Sequence, residues 1–507
     1  MAYKRNYVSR LVPSNTTLLN SLLVAVAIIN SATLGYDSSV MNGLLILPSY
    51  SDYFNLNTAT TGLNNAVSWM GSIIGAPLIQ PIPDMLGRKK AIIVANIILV
   101  VGIILQAAAQ NIAMFCIGRF IIGVGNVLGN ASAPIFLAEL LPPRLRSRLL
   151  GFFFACYYVG SLLSSIINYG SQNIPTTWAW RLPSLLQFIP SIAAVALLPF
   201  VPESPRWLID KGRDDEAREV LLVLQGKGVE DESMANESLH EIKAVIAKEA
   251  EEYPRNPWRE IISGRGNRKR LFILATFGVT INMWGNFIIS FYLTDILDQA
   301  GITSTVTQNQ INVSINCWSF LVAVVGSFLL DILGRRMQLL TGGAGMTICL
   351  FIIAGLIKAY GSSDNNSGIY GTIAVVFLFQ GFYAYAVTPM TSLYPAEIAQ
   401  YKLRATGFAV YKFVEAGFGL LASFAMSYAM ADLGWKFYFI NASWDIIFLV
   451  VIYFFYVETK DLKLEEIAVK FEGPAIWEAA HEPTPSPERL SDEQKGVYQS
   501  NVAVTPA

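Results

Sequence analysis

Charge is scarce in this 507-residue chain. Lys, Arg, Asp and Glu make up 14% of the residues and hydrophobic residues make up 53%, whereas an ordinary soluble domain is roughly a quarter charged. Residues 203–270 and 457–507 hold 43 of the 73 charged side chains, so the rest of the chain is almost without charge. Long stretches so poor in charge cannot form a globular fold in water. The composition excludes a string of soluble domains and indicates an integral membrane protein.

The chain also has no excess of basic residues, only two histidines, and no cysteines at a paired spacing. A net charge of −1 excludes the basic surface that a nucleic-acid partner requires. The four cysteines lie in apolar runs without C-x-x-C spacing, which favours buried side chains over a metal or disulfide site. Both histidines, His240 and His481, fall in polar segments, so proton chemistry in the membrane is left to carboxylates. The apolar stretches carry no nucleophile–base or metal constellation, so we expect neither an enzyme nor a cofactor.

Twelve apolar stretches are each long enough to cross a bilayer as a helix. A hydrocarbon layer of ~30 Å takes about 20 helical residues, and the sequence lacks the alternation of a closed strand barrel. We number these stretches as spans 1 to 12; they lie near 22–47, 62–81, 91–109, 112–136, 149–169, 182–201, 271–294, 311–330, 338–357, 369–393, 406–430 and 434–456. The sequence therefore predicts an all-α membrane protein with twelve transmembrane helices.

Basic residues predict the orientation of these helices. Lys and Arg cluster after spans 2, 4, 8 and 10, whereas the opposite loops hold few. Because short cytoplasmic loops carry the excess of Lys and Arg, both termini and the segment between spans 6 and 7 are predicted to face the cytoplasm. The sequon Asn365-Asn366-Ser367 then falls on the outer side, which makes Asn365 a candidate glycosylation site.

The spans and the charged segments together predict five regions. The two groups of six spans form an N-terminal and a C-terminal bundle, and the segment between them carries the pattern of short amphipathic helices. The last segment is rich in Pro, Ser and Glu and has too little apolar content to fold alone. The predicted regions are a cytoplasmic N-terminal segment (1–20), a six-helix bundle (21–201), a cytoplasmic loop (202–270), a second six-helix bundle (271–456) and a largely disordered cytoplasmic tail (457–507).

The two halves of the chain repeat one another. The segment from Asp84 to Arg88 recurs as Asp331 to Arg335, and each copy joins the second and third spans of its half. A Glu followed seven residues later by an Arg also occurs between the fourth and fifth spans of both halves. Two copies of six spans with the same topology are the plan of a transporter that holds its substrate between the halves near mid-membrane.

Several motifs resemble those of the sugar porter family within the major facilitator superfamily. They are the duplicated D-x-x-G-R, Gly118-Arg119 in span 4, the string from Pro202 to Leu208 that closes the first half, and Val457 to Lys460, which closes the second. The Tyr394–Glu397 and Gly434–Lys436 stretches resemble the fungal lactose and cellodextrin permease branch. The resemblance implies the major facilitator fold, a sugar-like solute and the cell membrane, and we expect a monomer.

The resemblance also assigns a cytoplasmic gate to charged residues at the helix ends. Such residues can pair across the two halves when the cavity opens outward and separate when it opens inward. An exposed pair is worth roughly 0–1 kcal/mol, which suits a reversible latch. Alternatively, the basic members only set the topology. The assigned residues are Asp84, Arg88, Glu139, Arg146, Glu203, Arg206, Asp331, Arg335, Glu397, Arg404 and Glu458.

Asp37 and Arg119 are charged residues within spans 1 and 4. A charge at the centre of a membrane helix costs about 2.5–3.5 kcal/mol on insertion scales, so it needs a partner, a water-filled cavity or a role. In proton-coupled relatives, the carboxylate at the position of Asp37 takes the proton and the arginine at the position of Arg119 pairs with it. The resemblance thus implies a proton site, and the alternative is a permanent structural ion pair.

Candidate solute ligands lie in spans 7 and 11. Amides donate and accept hydrogen bonds together, and an aromatic face suits the C–H surface of a carbohydrate. Glu415 stands where many relatives carry a sugar-binding amide. It could accept hydrogen bonds from solute hydroxyls, bind an amine-bearing solute or add a second proton site. Alternatively, it only pairs with Lys412 three residues earlier. The candidate residues are Asn282, Trp284, Asn286, Tyr292 and Glu415.

Other pocket positions depart from the pattern of the family, with Phe154, Ser319 and Ser392 where relatives carry glutamine, asparagine or tryptophan. These departures favour a less polar, larger or modified solute.

The leading interpretation is a secondary transporter that moves a sugar or sugar-like solute by alternating access, as proton-coupled import. The alternatives are a permease or exporter of a glycosylated or other small metabolite, and a transporter-like nutrient sensor.

Overall fold

The computed structural model describes most of the chain, and every regular element in the described part is helical. The described residues are 7–13, 15–141, 153–225, 229–252, 257–291, 293–299, 301–360, 366–399, 403–460, 462, 467, 470 and 471. The all-α prediction is confirmed. Arg146, Tyr292 and Asn365 lie outside the described residues, and so does the side chain of Arg404.

The first half contains spans 1 to 6. Asparagine side chains begin three of its helices: Asn15, Asn57 and Asn111 accept hydrogen bonds from backbone N–H groups of the first turn of spans 1, 2 and 4. The helices are Thr16–Ile46 (span 1), Thr58–Gly75 with Ala76–Ile79 and Pro81–Leu86 (span 2), Arg88–Ala107 (span 3), Ile112–Leu140 (span 4), Tyr157–Ser171 (span 5), and Trp178–Leu186 with Phe188–Leu197 and Leu198–Phe200 (span 6). A short helix, Pro48–Phe54, joins spans 1 and 2.

The second half contains spans 7 to 12. Two of its spans are interrupted: span 7 breaks at Trp284 and Gly285, where Gly285 has a φ of +80°, and span 10 breaks before Met390. The helices are Arg265–Met283, Asn286–Phe291 and Leu293–Gln299 (span 7), Thr305–Leu333 (span 8), Arg335–Tyr360 (span 9), Asn366–Ala386 and Met390–Ile398 (span 10), Arg404–Leu433 (span 11), and Lys436–Phe455 (span 12). Discontinuous membrane helices commonly border the substrate site of a transporter.

Ten helices in the described part of the chain are long and apolar enough to cross a membrane. The two remaining spans, 2 and 5, contain shorter helices with several Ser and Asn side chains. Asn65, Ser68, Ser72 and Ser161 of these two spans line the cavity described below. Their lower hydropathy therefore reflects their position at the polar interface between the halves.

Four helices lie between the two bundles in the sequence, at Pro205–Asp210, Asp214–Gln225, Val229–Glu252 and Pro257–Glu260. The apolar side chains of the first three of these helices share a core with the ends of spans 1 and 4. The fully buried carboxylate of Glu219 accepts hydrogen bonds from the backbone N–H groups of Tyr7 (2.9 Å) and Val8 (3.1 Å). The N-terminal segment is thereby tied to this layer of helices.

Two helix pairs make the most extensive contacts between the halves in the described part of the chain: span 2 packs on span 11, and span 5 packs on span 8. Within the first half, spans 1 and 5 cross at Gly35 and Gly160. A Cβ atom on Gly160 would lie 1.8 Å from the carbonyl oxygen of Ala32, and one on Gly35 would lie 1.9 Å from that of Tyr157. The two backbones therefore touch, and this contact fixes the position of span 1, which forms part of the cavity wall described below.

Candidate functional site

A cavity of about 200 Å³ lies between the two halves. Spans 1, 2, 4 and 5 form one side of its wall, and spans 7, 8, 10 and 11 form the other. The wall combines amide, hydroxyl and aromatic side chains, among them Asn65, Asn130, Asn282, Asn286, Asn312, Asn316, Gln380, Ser39, Trp69, Tyr157, Tyr158, Phe287 and Tyr383. A wall of this composition offers donors, acceptors and apolar faces to a polyhydroxylated solute.

Neutral hydrogen bonds connect the halves around this cavity. Asn316 of span 8 donates from Nδ2 to Ser165 Oγ of span 5 at 2.9 Å and also bonds Ser161. Beyond the cavity, Asn309 donates to Gln172 at 2.9 Å on the predicted outer side. Each such bond contributes about 1 kcal/mol net, so the contact between the halves can be broken and remade.

Three of the predicted solute ligands line the cavity, namely Asn282, Asn286 and Glu415. The amide of Asn282 donates to the backbone oxygen of Glu415 at 2.5 Å and so joins span 7 to span 11. The side-chain amide oxygen of Asn282 can accept a hydrogen bond from a solute.

The structure corrects the prediction for Trp284. This side chain is fully buried in the second half and is not part of the cavity wall. A Cβ atom on Gly343 of span 9 would lie 1.9 Å from its ring, so the indole fills the space above that glycine. The physical reason is helical geometry, since residues two apart point to nearly opposite sides of a helix and Asn282 already faces the cavity.

Trp69 and Phe287 supply the aromatic faces that Trp284 was predicted to supply. Their ring centroids lie 5.6 Å apart, one on each half of the protein, and both rings border the cavity. Neither was predicted from the sequence. The amides Asn312 and Asn316 were missed too, although their spacing of four residues in an apolar helix places them on one face and was a usable signal.

Asp37 and Arg119 lie together, as predicted, but their contact differs from a simple ion pair. Both are at most 2% exposed. Arg119 donates from Nη1 to the backbone oxygen of Asp37 at 3.1 Å, and the structure has no ion pair within 4 Å between these two side chains. Asn126 lies close to the carboxylate. Arg119 and Asn126 both border the cavity, and the Asp37 carboxyl lies behind them, next to both side chains.

The gate residues of the first half cluster around Arg88. Its Nη1 lies 3.0 Å from Asp84 Oδ1 and its Nε lies 3.2 Å from Glu139 Oε2. In the second half, Arg335 Nη2 lies 2.8 Å from Glu397 Oε1. Asp331 is exposed, and no ion pair of Asp331 is found among the described residues.

Glu203 and Glu458 each cap the N-terminus of a helix in their own half. Glu203 accepts from the backbone N–H of Lys89 at 3.1 Å, at the start of span 3. Glu458 accepts from the backbone N–H groups of Arg335 and Arg336, both at 2.9 Å, at the start of span 9. The positive ends of these helices favour a carboxylate. Burial raises the pKa of Glu203, and the backbone N–H bonds partly offset that effect.

The pairing of gate charges across the halves is not among these contacts, and it stays a prediction for the outward-open conformation. In this conformation, the ion pair of Arg88 and the cap formed by Glu203 lie within the first half. The ion pair of Arg335 and the cap formed by Glu458 lie within the second half. The reason is the repeat itself, because the last segment of each half returns to the second loop of the same half. Arg206 lies in the helix Pro205–Asp210, beside the first cap. A contact that does cross, on the predicted cytoplasmic side, is neutral: Thr406 donates to Gln80 at 3.0 Å.

We expect Glu458→Ala to lower the free energy of unfolding by about 1–2 kcal/mol, because removing an N-terminal cap leaves backbone N–H groups unpaired. The midpoint of thermal unfolding in detergent measures this loss. Asp331→Ala is the control, since Asp331 lies at the same end of the same half and is exposed. Equal midpoints for the two variants would contradict a stabilising role for the cap.

The fold and the cavity define a class: a membrane protein of two similar helical halves around a polar central site is an alternating-access transporter. The comparisons with known proteins agree. Residues 23–471 match the family described as "Sugar (and other) transporter". The chain therefore belongs to this family of the major facilitator superfamily, is a multi-pass membrane protein and is a transporter, as predicted, and not an enzyme.

Individual relatives are similar over most of their length. The chain is 31% identical over 444 residues to the MFS-type transporter oryC of Aspergillus oryzae, covering 85% of this chain and 82% of that protein. It is 28% identical over 468 residues to a high-affinity glucose transporter of Kluyveromyces lactis, covering 87% and 83%. The solved structure of the proton:xylose symporter XylE bound to 6-bromo-6-deoxy-D-glucose has a TM-score of 0.76 at 21% identity, covering 90% of this chain and 100% of that one. The predicted major facilitator fold is thereby confirmed.

Proposed function

We propose that this protein imports a sugar or sugar-like solute across the cell membrane together with a proton. The observation that carries the proposal is the polar and aromatic cavity between the halves, with the buried carboxyl of Asp37 directly behind its wall. The similarity to a glucose transporter and to a proton:xylose symporter supports a sugar-like solute and proton coupling.

In the proposed cycle, Asp37 takes up a proton while the cavity is open to the outside. A buried carboxylate is costly without a paired charge, and a proton removes that cost. Solute then binds between the halves, which close around it and open to the cytoplasm, where both proton and solute leave. Arg119 bonds the main chain of residue 37 rather than its carboxylate, so the carboxyl group is free to change its protonation state.

The moving bodies in this proposal are the two six-helix bundles, residues 21–201 and 271–456. The loop 202–270 and the segments 1–20 and 457–507 lie on the cytoplasmic side, and the transporter works as a monomer. The gate clusters around Arg88 and Arg335 hold each bundle rigid at its cytoplasmic end. Neutral contacts such as the one between Gln80 and Thr406 open and close as the bundles rock.

A second candidate is a permease or exporter of a glycosylated or other small metabolite. Phe154 borders the cavity where relatives carry a sugar-binding glutamine, and it adds to the apolar part of a wall that already contains Trp69 and Phe287. An aglycone with an aromatic or aliphatic surface would bury that surface against these side chains.

Reconstitution into liposomes tests the proposal. With an inward proton gradient, we expect accumulation of at least one labelled mono- or disaccharide, and collapse of the gradient with a protonophore should release it. Protein-free liposomes are the control. Accumulation of no saccharide, together with gradient-driven movement of a glycosylated metabolite, would favour the second candidate and contradict the first.

A further inference from the structure

Lys412 and Glu415 place a complete ion pair in the wall of the cavity. Both residues belong to span 11 and both line the cavity. Lys412 Nζ lies 2.7 Å from Glu415 Oε2, and the two side chains are only 6% and 10% exposed. A pair this buried differs from the solvated pairs that usually occupy successive turns of a helix.

Surrounding groups hold this pair in place. The Lys412 ammonium lies 4.9 Å from the ring centroid of Tyr411 and 5.9 Å from that of Phe408, distances at which aromatic faces attract a cation. The amide of Asn282 bonds the backbone oxygen of Glu415 from span 7. The pair is therefore fixed at the cavity surface before solute arrives.

A charged solute would bring a charge that this neutral pair does not balance. A solute carboxylate beside Lys412 would share one ammonium with the Glu415 carboxylate, and a solute ammonium beside Glu415 would share one carboxylate with Lys412. An unpaired buried charge costs several kcal/mol. Arg119, the other cation of the wall, donates from Nη1 to the main-chain oxygen of Asp37 and lies beside the carboxyl group of that residue.

A neutral polyhydroxylated solute can use the pair without breaking it. An ammonium carries three donors and a carboxylate has about four acceptor positions, so each retains capacity after they bind one another. One solute hydroxyl can accept from Lys412 while a neighbouring hydroxyl donates to Glu415. The pair then works as one donor and one acceptor, as a single amide would.

We propose that the Lys412–Glu415 pair is a charge filter that admits neutral polyhydroxylated solutes and rejects their carboxylate and amino derivatives. This inference rests on the proposed function and specifies its solute class. Removing one partner should reverse the filter, because the charge left behind then selects a solute of opposite sign. Glu415→Gln should favour the carboxylate and Lys412→Met should favour the amine.

The test is competition against a labelled neutral saccharide in proteoliposomes, with the unlabelled neutral sugar, its uronic acid and its amino sugar as competitors. Wild type should prefer the neutral sugar at least about tenfold over both, which corresponds to 1.4 kcal/mol. Glu415→Gln should improve competition by the uronic acid at least about tenfold, and Lys412→Met should do so for the amino sugar. The double variant K412E/E415K keeps an ion pair, so it should fold well and retain the neutral preference.

Arg213 and Glu216 provide the matched control, since they form an ion pair at the same spacing, at the start of the helix Asp214–Gln225 and away from the cavity wall. Glu216→Gln should leave all three competition constants unchanged. If wild type accepts the uronic acid or the amino sugar as well as it accepts the neutral sugar, the charge-filter proposal is wrong. The proposal is also wrong if the single variants keep the wild-type order of preference. In both cases sugar transport itself stands. Wild type that binds no saccharide of any charge overturns the proposed function and the filter with it.

Discussion

Liposomes that contain the Asp37→Asn protein are expected to exchange solute across the membrane without concentrating it. Asn has nearly the shape of Asp but cannot take up a proton, and it retains the main-chain carbonyl that Arg119 binds. With one proton per solute, each unit of pH gradient supports about tenfold accumulation in wild type. In the variant, the ratio of internal to external solute should stay at about one at any pH gradient.

Counterflow against preloaded solute measures the exchange, and uptake under a pH gradient measures accumulation. Asp52→Asn is the control, since Asp52 is exposed in the helix Pro48–Phe54 and lies away from the cavity wall. It should accumulate solute as wild type does. An Asp37→Asn protein that still concentrates solute would remove Asp37 from the coupling mechanism.

Gly160→Val is expected to abolish the folded protein or to lower its unfolding temperature severely. A Cβ atom at this position would lie 1.8 Å from the carbonyl oxygen of Ala32, and a main-chain atom in the middle of span 1 cannot move aside cheaply. Overpacking a side chain typically costs 1–3 kcal/mol, and a clash with backbone should reach at least about 3 kcal/mol. The yield of monodisperse protein in detergent and its thermal midpoint measure the effect.

Gly170 allows the same substitution on the same helix without a clash. Nothing lies within 4 Å of a Cβ atom built there. Gly170→Val should therefore change the midpoint only slightly, because Val has a somewhat higher helix propensity than Gly and meets no clash there. If the two variants unfold at the same temperature, spans 1 and 5 are not in backbone contact at Gly160.

The sequence predicts the helices and their repeat well because both depend on local properties. Apolar length determines which segments can cross a membrane, and the recurrence of Asp84 to Arg88 as Asp331 to Arg335 identifies the repeat. The proximity of Asp37 to Arg119 was predicted only through the family resemblance. The bond from Arg119 to the main chain of residue 37 depends on how spans 1 and 4 pack, which a single sequence does not specify.

The errors concern the direction of side chains. Trp284 lies in the correct segment, yet it points into the second half because the neighbouring asparagines already face the cavity. Trp69 and Phe287 come from different halves, and their contact exists only after the halves assemble. The ion pairs found for Arg88 and Arg335 lie within their own halves, and the cytoplasmic location of the gate residues and their pairing across the halves stay predictions.

Solute-driven proton movement tests the central claim most directly. Liposomes that enclose a pH-sensitive dye and start without a pH gradient should acidify inside when the transported solute is added outside. The Asp37→Asn protein should show no acidification while still exchanging labelled solute. Entry of solute into wild-type liposomes without any change in internal pH would contradict coupling through Asp37, as would acidification that persists in the variant.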